Sequence, residues 1–124
     1  MKKRLALISA FIVVSASGAV ADDTGFAGIH DWKKEKGNRI CMSDHFHDGS
    51  GSGKTRAEAE DAAKRSWIEF TAFEYGTDWG SYKLAASQTS DCAEIGLKWT
   101  CQISARPCKR YVPKAKGYAK SASR

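Results

Sequence analysis

The sequence predicts an α+β domain of β-α-β-β order, with one amphipathic helix packed on a small, mostly antiparallel three-stranded sheet and disulfides stapling the unit. Three observations predict it. Between Arg56 and Tyr75, apolar residues recur at spacings of three and four. The segments 39–47, 82–92 and 98–106 alternate in polarity with the period of two shown by half-buried strands. Four cysteines, an even number, follow an N-terminus patterned for export.

Export decides how later motifs are read. Lys2, Lys3 and Arg4 precede an apolar run from Leu5 to Val14, and small residues ending in Ala19-Val20-Ala21 precede Asp22-Asp23. Residues 1–21 therefore read as a secretory signal peptide, with cleavage expected after Ala21. The apolar run is about half of the ~20 residues that span a bilayer as a helix, so a retained anchor is not expected. The expected product is periplasmic or secreted.

The full chain of 124 residues carries +6, and losing the three leader cations leaves +3. Lys109, Arg110, Lys114, Lys116, Lys120 and Arg124 place six positive charges and no acid in residues 109–124, leaving 22–108 at −3. Residues 109–124 therefore read as a flexible basic tail, first as a solvated segment that keeps the protein soluble, with contact to an anionic membrane surface or an envelope polysaccharide as the alternative. Export disfavours nucleic acid, and Tyr111 and Tyr118 are too sparse for base stacking.

Residues 22–38 read as a polar N-terminal arm around Trp32, with Lys33-Lys34-Glu35-Lys36 facing solvent. The domain proper is expected over 39–108. In 39–47, alternation puts Ile40, Met42 and Phe46 on one face and Cys41, Ser43, His45 and His47 on the other. Asp48-Gly-Ser-Gly-Ser-Gly53 reads as a loop. Thr55-Arg-Ala-Glu58 matches a capping box and opens the helix, whose stripe is Ala59, Ala62, Ala63, Trp67, Phe70 and Phe73, with Gly76 as its stop. Tyr82 to Cys92 follows as a strand with Tyr82, Leu84 and Ala86 inward. Lys98 to Arg106 is the third, with Trp99, Cys101, Ile103 and Ala105 inward, and Pro107 ends the sheet. One helix covers one face of such a sheet, leaving His45, His47, Thr100, Gln102, Ser87 and Thr89 for the uncovered face. Its open edges allow a homodimer.

Cys41, Cys92, Cys101 and Cys108 are read as two structural disulfides. Three pairings are open. A turn at Gly96-Leu97 would set Cys92 opposite Cys101 and leave Cys41 for Cys108, which is favoured over Cys41–Cys101 with Cys92–Cys108. No C-x-x-C pair is present, which argues against a cysteine zinc site, a thioredoxin-like motif and haem attachment.

Candidate chemistry is sparse. Gly49 to Thr55 resembles a phosphate-cradling loop, but Asp48 stands where its first glycine belongs. No G-x-S-x-G turn occurs, and Asp44, Asp48, Glu69 and Glu74 lack a recognisable paired setting. His45 and His47, two apart on a strand, would project to one side and present two imidazoles to zinc, copper or nickel. His30 would join them only if the arm folds back. Trp67, Trp79, Trp99 and Tyr82 read as core rather than as a sugar-stacking platform.

The pattern of Ala63 to Trp67, Tyr75-Gly76, Trp99-Thr-Cys101 and Pro107-Cys108 resembles small secreted alphaproteobacterial proteins of unknown function, over roughly residues 55–108. These motifs are structural, and the resemblance implies no activity. The β-α-β-β plan is also similar to that of dodecins and small periplasmic stress proteins, in architecture alone. The expected function is that of a non-catalytic, exported, envelope-associated binding protein needing no cofactor, which presents its uncovered sheet face or basic tail to an envelope protein, a polysaccharide or a membrane surface. The alternative is a metal-ion or small-ligand binding protein using His45 and His47.

Overall fold

The computed structural model describes residues 25–113. The expected signal peptide and Lys114, Lys116, Lys120 and Arg124 lie outside them. A single helical turn, α1 (Gly25–Gly28), precedes strands β1 (Trp32–Glu35), β2 (Arg39–Met42) and β3 (His47–Gly53). The long helix α2 (Arg56–Tyr75) is followed by 3₁₀ turns at Thr77–Trp79 and Tyr82–Leu84, then β4 (Ala86–Ile95), β5 (Lys98–Arg106) and β6 (Cys108–Arg110). The strands form two antiparallel sheets, ordered β1-β2-β6 and β3-β5-β4. The second, with α2 between β3 and β4, realises the predicted β-α-β-β unit.

Its first strand is not where alternation alone placed it. The expected 39–47 strand breaks into β2 and a connection to β3, and the glycine-serine segment expected as a loop is itself β3. The reason is close packing. A Cβ built on Gly51 would lie 2.4 Å from the Ala63 nitrogen, and one on Gly49 would lie 2.3 Å from the Ala63 oxygen. One on Gly53 would lie 2.6 Å from Glu58 Cβ. The Gly-Ser alternation is therefore a strand pattern of period two, with glycines under the helix and Ser50 and Ser52 outward.

The buried face of α2 is correspondingly narrow. Ala59, Ala63, Trp67, Thr71 and Tyr75 form a single buried ridge at intervals of four, of which Ala59, Ala63 and Trp67 pack with Ala85, Cys101, Ile103 and Ala105, and Tyr75 with Ala27, Met42 and Trp79. Phe70 and Phe73, expected in the stripe, are exposed, because the glycine floor admits one row of side chains. The Thr55 hydroxyl accepts from Glu58 N–H at 3.2 Å, while the Glu58 carboxylate accepts from Lys54 N–H, one residue before the cap. Gly76 ends the helix at φ +102°.

The hairpin turns at Gly96-Leu97, setting Cys92 directly opposite Cys101, and these two are disulfide-bonded. Cys41 and Cys108 pair across β2 and β6. Both favoured pairings are thus present, and no free cysteine remains. Tyr82 and Leu84 lie in a 3₁₀ turn instead of a strand, with Tyr82 edge-on to Trp67.

Two segments expected outside the domain belong to it. Trp32–Glu35 pairs with β2 through a turn containing Gly37 and Asn38, both at positive φ. Pro107 passes the chain from one sheet to the other, so Lys109 and Arg110 form β6 rather than opening a solvated tail. Arg106 joins the sheets. It is buried, donates from Nη1 to the Met42 carbonyl at 2.6 Å, and pairs from Nη2 with Glu35 at 2.6 Å. Glu35, expected in solvent, is thereby drawn inward.

Candidate metal centre

The start of β3 and the last turn of α2 converge on the histidines. His47 was expected on the uncovered sheet face. It occupies instead the helix-facing position next to the glycine row, with only 2% of its surface exposed. His45 lies in the connection before β3, half-buried. The N-terminal segment does fold back: Ala27 is buried with Met42, Tyr75 and Trp79, and its carbonyl accepts from Trp32 Nε1 at 2.9 Å. Ser43 N–H donates to the Asp31 carbonyl at 2.8 Å. These contacts hold the His30 ring stacked on His45, with centroids 4.2 Å apart.

His47 is clamped between Tyr75, stacked at 4.6 Å, and Phe70 at 4.8 Å. Its Nδ1 lies 2.9 Å from the Thr71 hydroxyl, and its Nε2 lies 2.8 Å from Glu74 Oε2. That second contact sets a buried ring nitrogen against a carboxylate that opposes the effect of burial on the imidazole. The ligand atoms of His45, His47 and Glu74 all lie within 4.8 Å of one another. Glu74 is the member that reading the sequence missed as a ligand. Its signal was the four-residue spacing from Phe70 on a helix whose register against β3 was set by the glycines.

The electrostatics fit a cation. Burial, with a smaller contribution from His30, lowers the pKa of His45 despite the opposing effect of Glu74. Burial also lowers that of His47, again against Glu74. Both imidazoles are thus held toward the neutral form that ligates metals. Burial, helped by Glu74, pushes the Tyr75 hydroxyl up to about 12, so it remains protonated at neutral pH.

The remaining predicted positions separate. Thr89, Thr100 and Gln102 do face the uncovered side of the β3-β5-β4 sheet. Ser87 instead sits in a bulge at φ +52°, its hydroxyl accepting from Arg106 Nε at 3.2 Å. A concavity on the uncovered face is lined by Asp48, Ser50, Thr89, Asp91, Gln102 and Ser104, with no histidine among them. A second cleft, lined by Ile29, His30, Asp31, Ser43, Asp44 and His45, opens the His30 and His45 imidazoles to solvent.

No protein-family model, curated protein or solved structure matches the chain. The two disulfides indicate a non-cytoplasmic, oxidising setting. Among the described residues, no helix is long and apolar enough to cross a membrane.

Proposed function

We propose that this is an exported, non-catalytic protein that binds a divalent transition-metal ion, zinc or copper(II), through His45, His47 and Glu74. One observation carries the reading: the ligand atoms of His45, His47 and Glu74 all lie within 4.8 Å of one another, around an imidazole that is 2% exposed. When Nδ1 donates to Thr71, Nε2 presents a lone pair to the carboxylate. In that tautomer Nε2 is the atom that would ligate an ion shared with His45 and Glu74. The Thr71 contact is then the outer-shell hydrogen bond that orients a ligating histidine.

Two imidazoles and a carboxylate suit zinc or copper, and the fourth position is left to water or an exogenous ligand. A tetrahedral ion with bonds of ~2.1 Å sets its ligands ~3.4 Å apart, which lies between the 2.8 Å separation of His47 Nε2 from Glu74 Oε2 and the 4.8 Å within which all three ligand atoms fall. Thiolate ligation is excluded because all four cysteines are in disulfides.

Calorimetric titration of the disulfide-intact protein with zinc sulfate and with copper sulfate tests the proposal. Binding of one ion per chain, a rise in melting temperature, and an affinity at least tenfold weaker in His45→Ala are expected. His45 is half-buried, so that variant should fold. Absence of stoichiometric binding of either ion, or equal binding by His45→Ala, would refute the proposal.

A further inference from the structure

A separate surface lies on the β1-β2-β6 sheet. The register puts Lys34, Ile40 and Lys109 side by side on one face. There Lys34 Nζ lies 3.9 Å from the centre of the Tyr111 ring, and Lys109 Nζ lies 5.0 Å from that of Trp32 and 5.1 Å from that of Trp79. A groove beside them is lined by Trp32, Ile40, Lys109, Arg110 and Val112, with Asp78 as the one carboxylate among its described lining residues. Val112 is 79% exposed and Trp32 38% exposed. The described chain ends at Pro113 beside this groove, and the residues that follow carry Lys114, Lys116, Lys120 and Arg124 without an acid.

We propose that this face docks on an anionic lipid bilayer, with Lys34 and Lys109 at the headgroups and Trp32 and Val112 at the boundary with the acyl chains. Aromatic rings flanked by cations and an exposed aliphatic side chain suit that interface. An anionic polysaccharide is a poorer match. A sugar stacks on an open ring face, whereas ammonium groups already lie over Trp32 and Tyr111. Val112 gives a polysaccharide nothing to bond. The sequence after Pro113 adds four cations and no acid to the chain's charge. This surface shares none of His45, His47 and Glu74 with the metal centre.

Co-sedimentation with vesicles tests the proposal. Residues 22–124 are used, because the apolar run at Leu5 to Val14 would itself enter lipid. Vesicles of phosphatidylglycerol and phosphatidylcholine at 3:7 are compared with phosphatidylcholine alone, at low and high salt. Binding only to the anionic vesicles is expected, lost at high salt and about fivefold weaker in Lys34→Gln. Val112→Ser should weaken it at unchanged charge. A chain ending at Pro113 should bind more weakly while remaining sensitive to Lys34→Gln. Lys34 is exposed, so its replacement keeps the test valid even if a Lys109 variant fails to fold. Failure to sediment with anionic vesicles would overturn the proposal. So would binding unaffected by both Lys34→Gln and Val112→Ser, which would leave the terminal cations as sole cause. Binding to an anionic polysaccharide without binding to vesicles would overturn it as well.

Discussion

Gly51→Ala distinguishes a strand beneath the helix from a flexible glycine-serine loop, because the two readings predict opposite signs. In a loop, alanine reduces the freedom of the unfolded chain and stabilises by about 0.4–1 kcal/mol where its backbone angles are compatible. Here the added carbon would stand 2.4 Å from the Ala63 nitrogen and 2.5 Å from Ala62 Cβ, about 1 Å inside ordinary contact. The obstacle is helix backbone, which a rotamer change cannot move. Lifting α2 by that amount would also loosen Trp67 from Ala85, Ile103 and Ala105, with which it forms the buried core. A cost of about 3 kcal/mol is expected, at the upper end for overpacking. For a domain of this size that lowers the melting temperature by roughly 15 °C. Thermal melts followed by circular dichroism should show it, with Ser50→Ala on the outward face as a nearly neutral control. A melting temperature for Gly51→Ala equal to or above that of the parent would refute the close-packing argument.

Removing Cys41–Cys108 as a double alanine variant should destabilise more than removing Cys92–Cys101. Loop closure over 67 residues corresponds to about 4 kcal/mol and over 9 residues to about 2.5 kcal/mol, a difference readable in urea unfolding. Glu35→Gln should cost about 3 kcal/mol in the same assay, since it leaves the buried Arg106 guanidinium without its counter-charge, and a change below 0.5 kcal/mol would refute that role. Burial, aided by Glu60, raises the Tyr82 pKa above 10.0. The unfolded chain therefore releases this proton first. The corresponding stability is whole below pH 10 and is lost as pH climbs through the folded value, so the melting temperature of Tyr82→Phe should decline less steeply between pH 9 and 11.

Much of the architecture was legible because it depends on local rules. The start and stop of α2 follow from Thr55, Glu58 and Gly76, and the β5 alternation survives in its burial. The Cys92–Cys101 pairing follows from a two-residue turn at Gly96-Leu97. His30, His45 and His47 were identifiable as possible ligands because few other groups in the chain do that chemistry. The inward side of His47 was not legible, because placing the strand one segment early reverses the faces of everything after it.

Residue order alone determined one long helix on an antiparallel sheet and an even set of cysteines behind a leader-like segment, because helical and strand periodicity and turn chemistry act over a few neighbours. Only the tertiary structure decided that glycines 49, 51 and 53 form a strand, that Trp32–Glu35 joins a second sheet, and that Glu74 meets His45 and His47. Those outcomes depend on which backbones approach each other across the fold. A missing side chain reads locally as flexibility, whereas in the packed domain it provides the space into which the helix fits.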